Sequence, residues 1–185
     1  MMEVGLRIEG GDLVVKGERF KVDGRLVMVP LDLLRDVKHG ELPRRLAIET
    51  YYEKQGDTVI GPIYTITKGW VEYEVLARQK YWEAGVPLSM YMEAYEALAK
   101  SRGLKTSREG GWGLSDDYFI LTLSLKAWPD EKIGDTVAKL ESIVEEVEDA
   151  LGEVCEEARK FAKKRFKRLI KAFKAAKRPS EASAR

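Results

Sequence analysis

The residues in this chain best suited to do chemistry are eleven bases near its far end: Arg159, Lys160, Lys163, Lys164, Arg165, Lys167, Arg168, Lys171, Lys174, Lys177 and Arg178. No acid interrupts them. Lys and Arg at this density neutralise phosphates and release condensed counterions, which gives salt-sensitive, sequence-independent affinity for nucleic acid. The expected partner is therefore DNA or RNA. The plainer readings of the same run are a solvated face or a face paired with acids. Phe161, Phe166, Leu169, Ile170 and Phe173 alternate with the bases, as on an amphipathic helix that lies on an anionic membrane. Peripheral membrane contact ranks below nucleic acid, because such an apolar side serves packing equally well.

Other candidate chemistry is sparse. Asp116 and Asp117 could hold a divalent ion, but adjacent residues entering a strand point to opposite faces, which argues against a shared metal. The loop Glu109-Gly110-Gly111-Trp112-Gly113-Leu114-Ser115 could wrap an anion with backbone N–H groups. It lacks the Gly-Lys-Ser/Thr ending of a phosphate loop and precedes a strand where such a loop precedes a helix. Cys155 is the single cysteine and His39 the single histidine, which excludes disulfide frameworks, thiolate zinc sites and multi-His sites. Cys155 reads as a small core residue and His39 as a helix C-terminal cap. No catalytic set, metal site or cofactor motif is named, and the chain does not read as an enzyme.

The elements that position the bases begin with one long helix. Ile133, Val137, Leu140, Val144, Val147, Leu151, Val154, Ala158 and Phe161 recur at alternating spacings of four and three, and continuity to residue 178 is expected. Its charge changes sign once, near Ala158. Residues 130–157 carry eleven acids and two bases; residues 158–185 carry twelve bases and one acid, Glu181. The chain's net charge of +1 therefore hides two opposed fields. That reversal supports a second function: a structural or assembly protein whose long helices pair antiparallel about Ala158, acidic half along basic half, or dock an acidic partner. The wide stripe that includes Ile143 and Ala150 instead favours packing of the acidic half on the protein's own core, with the basic half projecting. After Phe161 the apolar positions slip to Ala162, Phe166, Leu169 and Phe173, which implies a change of partner surface.

The rest of the chain predicts an α+β fold, an antiparallel sheet packed with helices and followed by that long amphipathic helix. Residues 1–129 form the core domain, 130–178 the helix and 179–185 a flexible tail. Short strands with Gly10-Gly11 and Asp23-Gly24 turns open the core, and Leu26 to Val29 returns from the second turn. A short helix spans Leu31 to Val37 and another starts near Pro43 and ends at Gln55-Gly56. Thr58 to Thr67 is one kinked strand or two short ones around Gly61-Pro62. Helices from Trp70 to Tyr81 and from Leu88 to Ala99, broken by Gly85-Val86-Pro87, loosely resemble a helix-turn-helix, though a plain helical hairpin fits better because few bases lie on the second helix. If Leu104 to Trp128 is a wing, Arg102, Lys105 and Arg108 could touch phosphate. Residues 103–115 read as a mobile loop and Tyr118 to Trp128 as a strand with Phe119, Leu121, Leu123 and Leu125 on one face. Asp130 or Asp135 caps the terminal helix.

No asparagine occurs, and Gln55 and Gln79 are the only glutamines, beside 34% charged residues. This composition is the kind selected at high temperature, so a hyperthermophilic source is expected. No apolar run approaches the roughly 20 residues that span a bilayer. The N-terminus shows no basic and then apolar leader, so the expected location is the cytoplasm. The long helix also predicts a homo-oligomer, which the phosphate reading does not require.

Overall fold

Glycine turns and alternating apolar residues divide the first half of the chain into short strands, and the computed structural model describes residues 5–76, 86–110 and 119–183. On the last helix, side chains are described as far as residue 176. Strands β1 (Leu6–Glu9), β2 (Asp12–Val15) and β3 (Glu18–Lys21) form an antiparallel three-stranded sheet. Gly10 and Gly11 both take positive φ, 59° and 84°, which a two-residue hairpin turn of matching twist requires.

The Asp23-Gly24 turn also forms, closed by paired backbone hydrogen bonds between Asp23 and Leu26 at 2.8 and 3.0 Å. The strand after it goes elsewhere. β4 (Leu26–Pro30) pairs in parallel with β5 (Ala47–Tyr51), Val27 beside Ile48. Burial explains this: Val27, Val29 and Ile48 all enter the main core, while Leu26 and Met28 face out.

β5 replaces the helix expected from Pro43. Leu46 and Ile48 are two residues apart, and Thr50 continues that alternation into the core, so the strand period wins. Between Leu31 and Val37, the expected helix is a single 3-10 turn, Leu31–Leu33. Gly61-Pro62 divides the next segment into β7 (Thr58–Ile60), which pairs with β6 (Glu53–Gln55), and β8 (Tyr64–Ile66).

The largest correction falls on Trp70–Leu76, which is β9 rather than a helix. Trp70, Tyr73 and Leu76 have helical spacing, but Val71 and Val75 are the residues buried, and β9 pairs with β11 (Phe119–Lys126) along its whole length. Aromatic and β-branched residues favour that half-buried pleat. Trp70–Leu76 is therefore not part of the first helix of a helix-turn-helix, and the rest of that expected helix, within residues 77–85, lies outside the described set. β10 (Lys105–Gly110) stands where a mobile loop was expected, paired to β11 from Lys105↔Ser124 to Gly110↔Phe119. With β11 it forms one edge of the main sheet, not a separate wing.

That sheet has the order β10-β11-β9-β8-β5-β4 and is antiparallel except for β4 and β5. Helix α1 (Leu88–Ser101) buries Tyr91, Met92, Tyr95 and Ala99, and Gly103 ends it, its N–H bonding Lys100 O while the Leu104 N–H bonds Ala99 O. Helix α2 (Ile133–Ser183) is 51 residues long, about 75 Å at 1.5 Å per residue. Its start is fixed by the 35–40 segment: Ile133 N–H bonds Val37 O at 2.8 Å and Gly134 N–H bonds Arg35 O at 3.1 Å. Those are N-terminal donors with no partner inside a helix. Asp130 precedes the helix and Asp135 lies in its first turn, so backbone carbonyls supply the partners that a side-chain cap was expected to give. The architecture is α+β with a long C-terminal helix.

Candidate nucleic-acid interface

Helix α2 has two environments. Along its acidic half, Ile133, Val137, Leu140, Val144, Val147, Leu151 and Cys155 are buried in the main core. Three acids from the same half tie to the body. Tyr64 O–H donates to Glu141 Oε1 at 2.9 Å, Tyr95 O–H donates to Glu148 Oε1 at 3.2 Å, and Arg102 pairs with Glu146 at 3.4 Å. Burial pushes both phenols up, so they remain protonated donors, and it also pushes the Glu141 carboxyl up.

Burial stops at Cys155. Ala158 is half-buried, and every side chain from Arg159 to Ala176 is exposed. The basic half thus runs clear of the body, with nine bases from Arg159 to Lys174 along about 23 Å. Lys160 meets Glu156 at 3.4 Å and Glu157 at 4.0 Å on its own helix. The other eight make no ion pair among the described residues. Lys177 and Arg178 lie on the same helix, beyond the described side chains.

The inner line of the helix does not change direction where the sequence suggested. Val154, expected in the stripe, is 45% exposed, and Cys155 takes the inner position. From Leu151 the line continues through Cys155, Ala158, Ala162, Phe166, Leu169 and Phe173, steps of three and four that keep one face of a straight helix. One apolar face therefore packs the core and then leaves it. Phe161, Phe166, Leu169 and Phe173 are each at least 60% exposed. Lys163, Lys167, Lys171 and Lys174 rim a shallow recess floored by Phe166 and Ile170.

The remaining candidates are engaged or lie elsewhere. Arg108 pairs with Glu96, which burial opposes but three side-chain bonds hold below the usual carboxylate range, and Lys105 stacks over the Trp70 ring at 4.8 Å. With Arg102 on Glu146, all three expected wing bases have partners on the body. His39 is no C-terminal cap. It is fully buried, bonded to Thr67 O at 3.0 Å and to Thr136 Oγ1 at 2.6 Å. Residues 111–117, which include Asp116, Asp117 and most of the glycine loop, lie outside the described set. Among the described residues no cluster of three His, Cys, Asp or Glu could hold a metal, and no helix is long and apolar enough to cross a membrane.

The chain matches no protein-family model, no curated protein and no solved structure.

Proposed function

We propose that this protein binds nucleic acid through the projecting half of α2, gripping phosphates without reading base sequence. The observation that supports it is the set of eight bases that, among the described residues, are free of carboxylates, on a helix that stands clear of the body. Duplex DNA carries one negative charge per about 1.7 Å of axis, so a rod with a base every two residues or so meets several phosphates at once. On this reading the protein works in the cytoplasm, where nucleic acid is accessible.

Titrating labelled duplex DNA and duplex RNA of unrelated sequences from 50 to 300 mM salt tests it. Affinity should fall steeply with salt and vary little with sequence. Replacing Lys163, Lys167 and Lys171 by Ala should flatten the salt slope by about 0.9 for each phosphate that the variant no longer neutralises. Binding that ignores both the salt and the substitutions would remove this reading.

A further inference from the structure

Phosphate binding leaves the apolar face of the projecting half unexplained. We propose that this face is covered by the same segment of a second copy, the two projecting helices lying antiparallel.

Area gives the first argument. Phe166, Leu169, Ile170 and Phe173 are exposed by 62%, 60%, 41% and 68%. With about 200 Å² for a large side chain, each copy offers roughly 450 Å² of apolar surface. Two copies bury about 900 Å², and the Lys and Arg stems along the edges bring the total toward the range of a specific interface.

Register gives the second. The face is uncovered from Ala158 onward, because before it the same line is filled by the core. Pairing centred near Ala158 is therefore blocked. A two-fold centred between Lys167 and Arg168 sets Ala158 opposite position 177, so the overlap uses the projecting segment alone and leaves the two bodies at opposite ends. In that register Phe166 faces Leu169 of the second copy, and Ala162 faces Phe173, small against large.

Charge chooses the orientation. Parallel pairing sets every base beside its own copy. Antiparallel pairing moves the tip, from Lys174 onward, toward the acidic end of the second copy at Glu153, Glu156 and Glu157. Repulsion between the two basic segments still dominates the overlap. Salt therefore strengthens this dimer, the reverse of its effect on phosphate binding. An anionic bilayer is the other surface that suits bases around an apolar strip, and it enters the test below.

Sedimentation of the full chain at 50 and 500 mM NaCl, over a wide concentration range, is the experiment. The expected result is a monomer–dimer equilibrium that tightens at high salt. Phe166→Glu and Leu169→Glu, both at exposed positions, should each weaken it at least about tenfold, with no change in Tm at concentrations where the native chain is monomeric. Mixing Ala162→Cys chains with Phe173→Cys chains should give a cross-linked heterodimer more readily than either chain alone. A monomer at every concentration and both salts overturns the proposal, as does a dimer that weakens with salt. A chain that stays monomeric and binds vesicles containing anionic lipid, but not neutral ones, assigns the face to lipid and overturns it too. DNA titration of Leu169→Glu separates the two readings: loss of the dimer with phosphate binding retained leaves the proposed function standing, and a dimer without phosphate binding leaves this one.

Discussion

His39 Nε2 and Thr136 Oγ1 lie 2.6 Å apart, joining residues 97 positions apart in the chain. The ring's other nitrogen, Nδ1, donates to Thr67 O at 3.0 Å, and the Thr136 hydroxyl that meets Nε2 also lies 3.0 Å from Ile133 O. The ring is held between the end of β8, the 35–40 segment and the first turn of α2. Burial lowers the His39 pKa below its usual 6.5, against smaller opposing effects from the Thr67 carbonyl and Glu131.

Stability should consequently fall as pH drops. Below about 6.5 the unfolded chain takes up a proton at His39 that the folded chain resists, so the unfolded state binds more protons and gains. Above that pH the residue contributes no slope. Urea unfolding at pH 7.5, 6.5 and 5.5 should show a falling midpoint in the native chain. His39→Gln should be less stable at pH 7.5, by about 1–3 kcal/mol for the disturbed buried hydrogen bonds, yet show a flatter profile. Carboxyls held low, such as Glu9 and Asp36, titrate beneath this window, and Glu141, pushed up, acts with the opposite sign in both chains. Equal slopes in the two chains would rule out His39 as the source.

Two glycines of α2 should respond oppositely to alanine. A Cβ at Gly134 would lie 2.9 Å from both Cα and O of Arg35, backbone atoms that cannot swing aside. Gly134→Ala should cost about 1–3 kcal/mol by forcing the helix off the 35–40 segment. A Cβ at Gly152 meets nothing within 4 Å. Gly152→Ala should stabilise by about 0.5–1 kcal/mol through helix propensity. Thermal melts of the two variants decide this, and a shift of the same sign in both would contradict it.

The phenol tethers are a third test. Tyr95 is almost wholly buried and its O–H reaches Glu148, so Tyr95→Phe removes a hydrogen bond to a charged group while keeping the ring. A loss of about 1.5–3 kcal/mol is expected in chemical denaturation. No loss would mean that the carboxylate exchanges the phenol for water at no cost.

How far the sequence could be read follows from the range of the interactions. The charge reversal, the acidic half's inner line and the strand from Phe119 are local periodicities, and all three were legible. Trp70–Leu76 was not, because Trp70, Tyr73 and Leu76 fit a helix while the pairing with β11 that decides the matter lies some fifty residues on. Ala47–Tyr51 failed similarly, since its parallel partner β4 is settled by burial of Val27 and Val29 in a common core. At the candidate site the bases were legible one by one. So was the projection of the basic half; the inner position just before it, Cys155 instead of Val154, was not, because it depends on where the body packed under the helix ends.

That end point makes the last prediction. No side chain from Arg159 to Ala176 is buried, so among the described residues a chain stopped after Ala158 keeps every member of the core that α2 supplies. It should fold with urea m-value and near-UV spectrum close to native, while the helical far-UV signal falls in proportion to the residues removed. Dimerisation adds one distinction. If two projecting helices pair, mass action raises the Tm of the full chain as its concentration rises, by RT ln(1 + [L]/Kd) in free energy. The shortened chain has no such term, so its Tm should be independent of concentration. Melts of both chains across a hundredfold range of concentration therefore read the body and the projecting helix separately. A shortened chain that fails to fold would show that the core extends past Ala158.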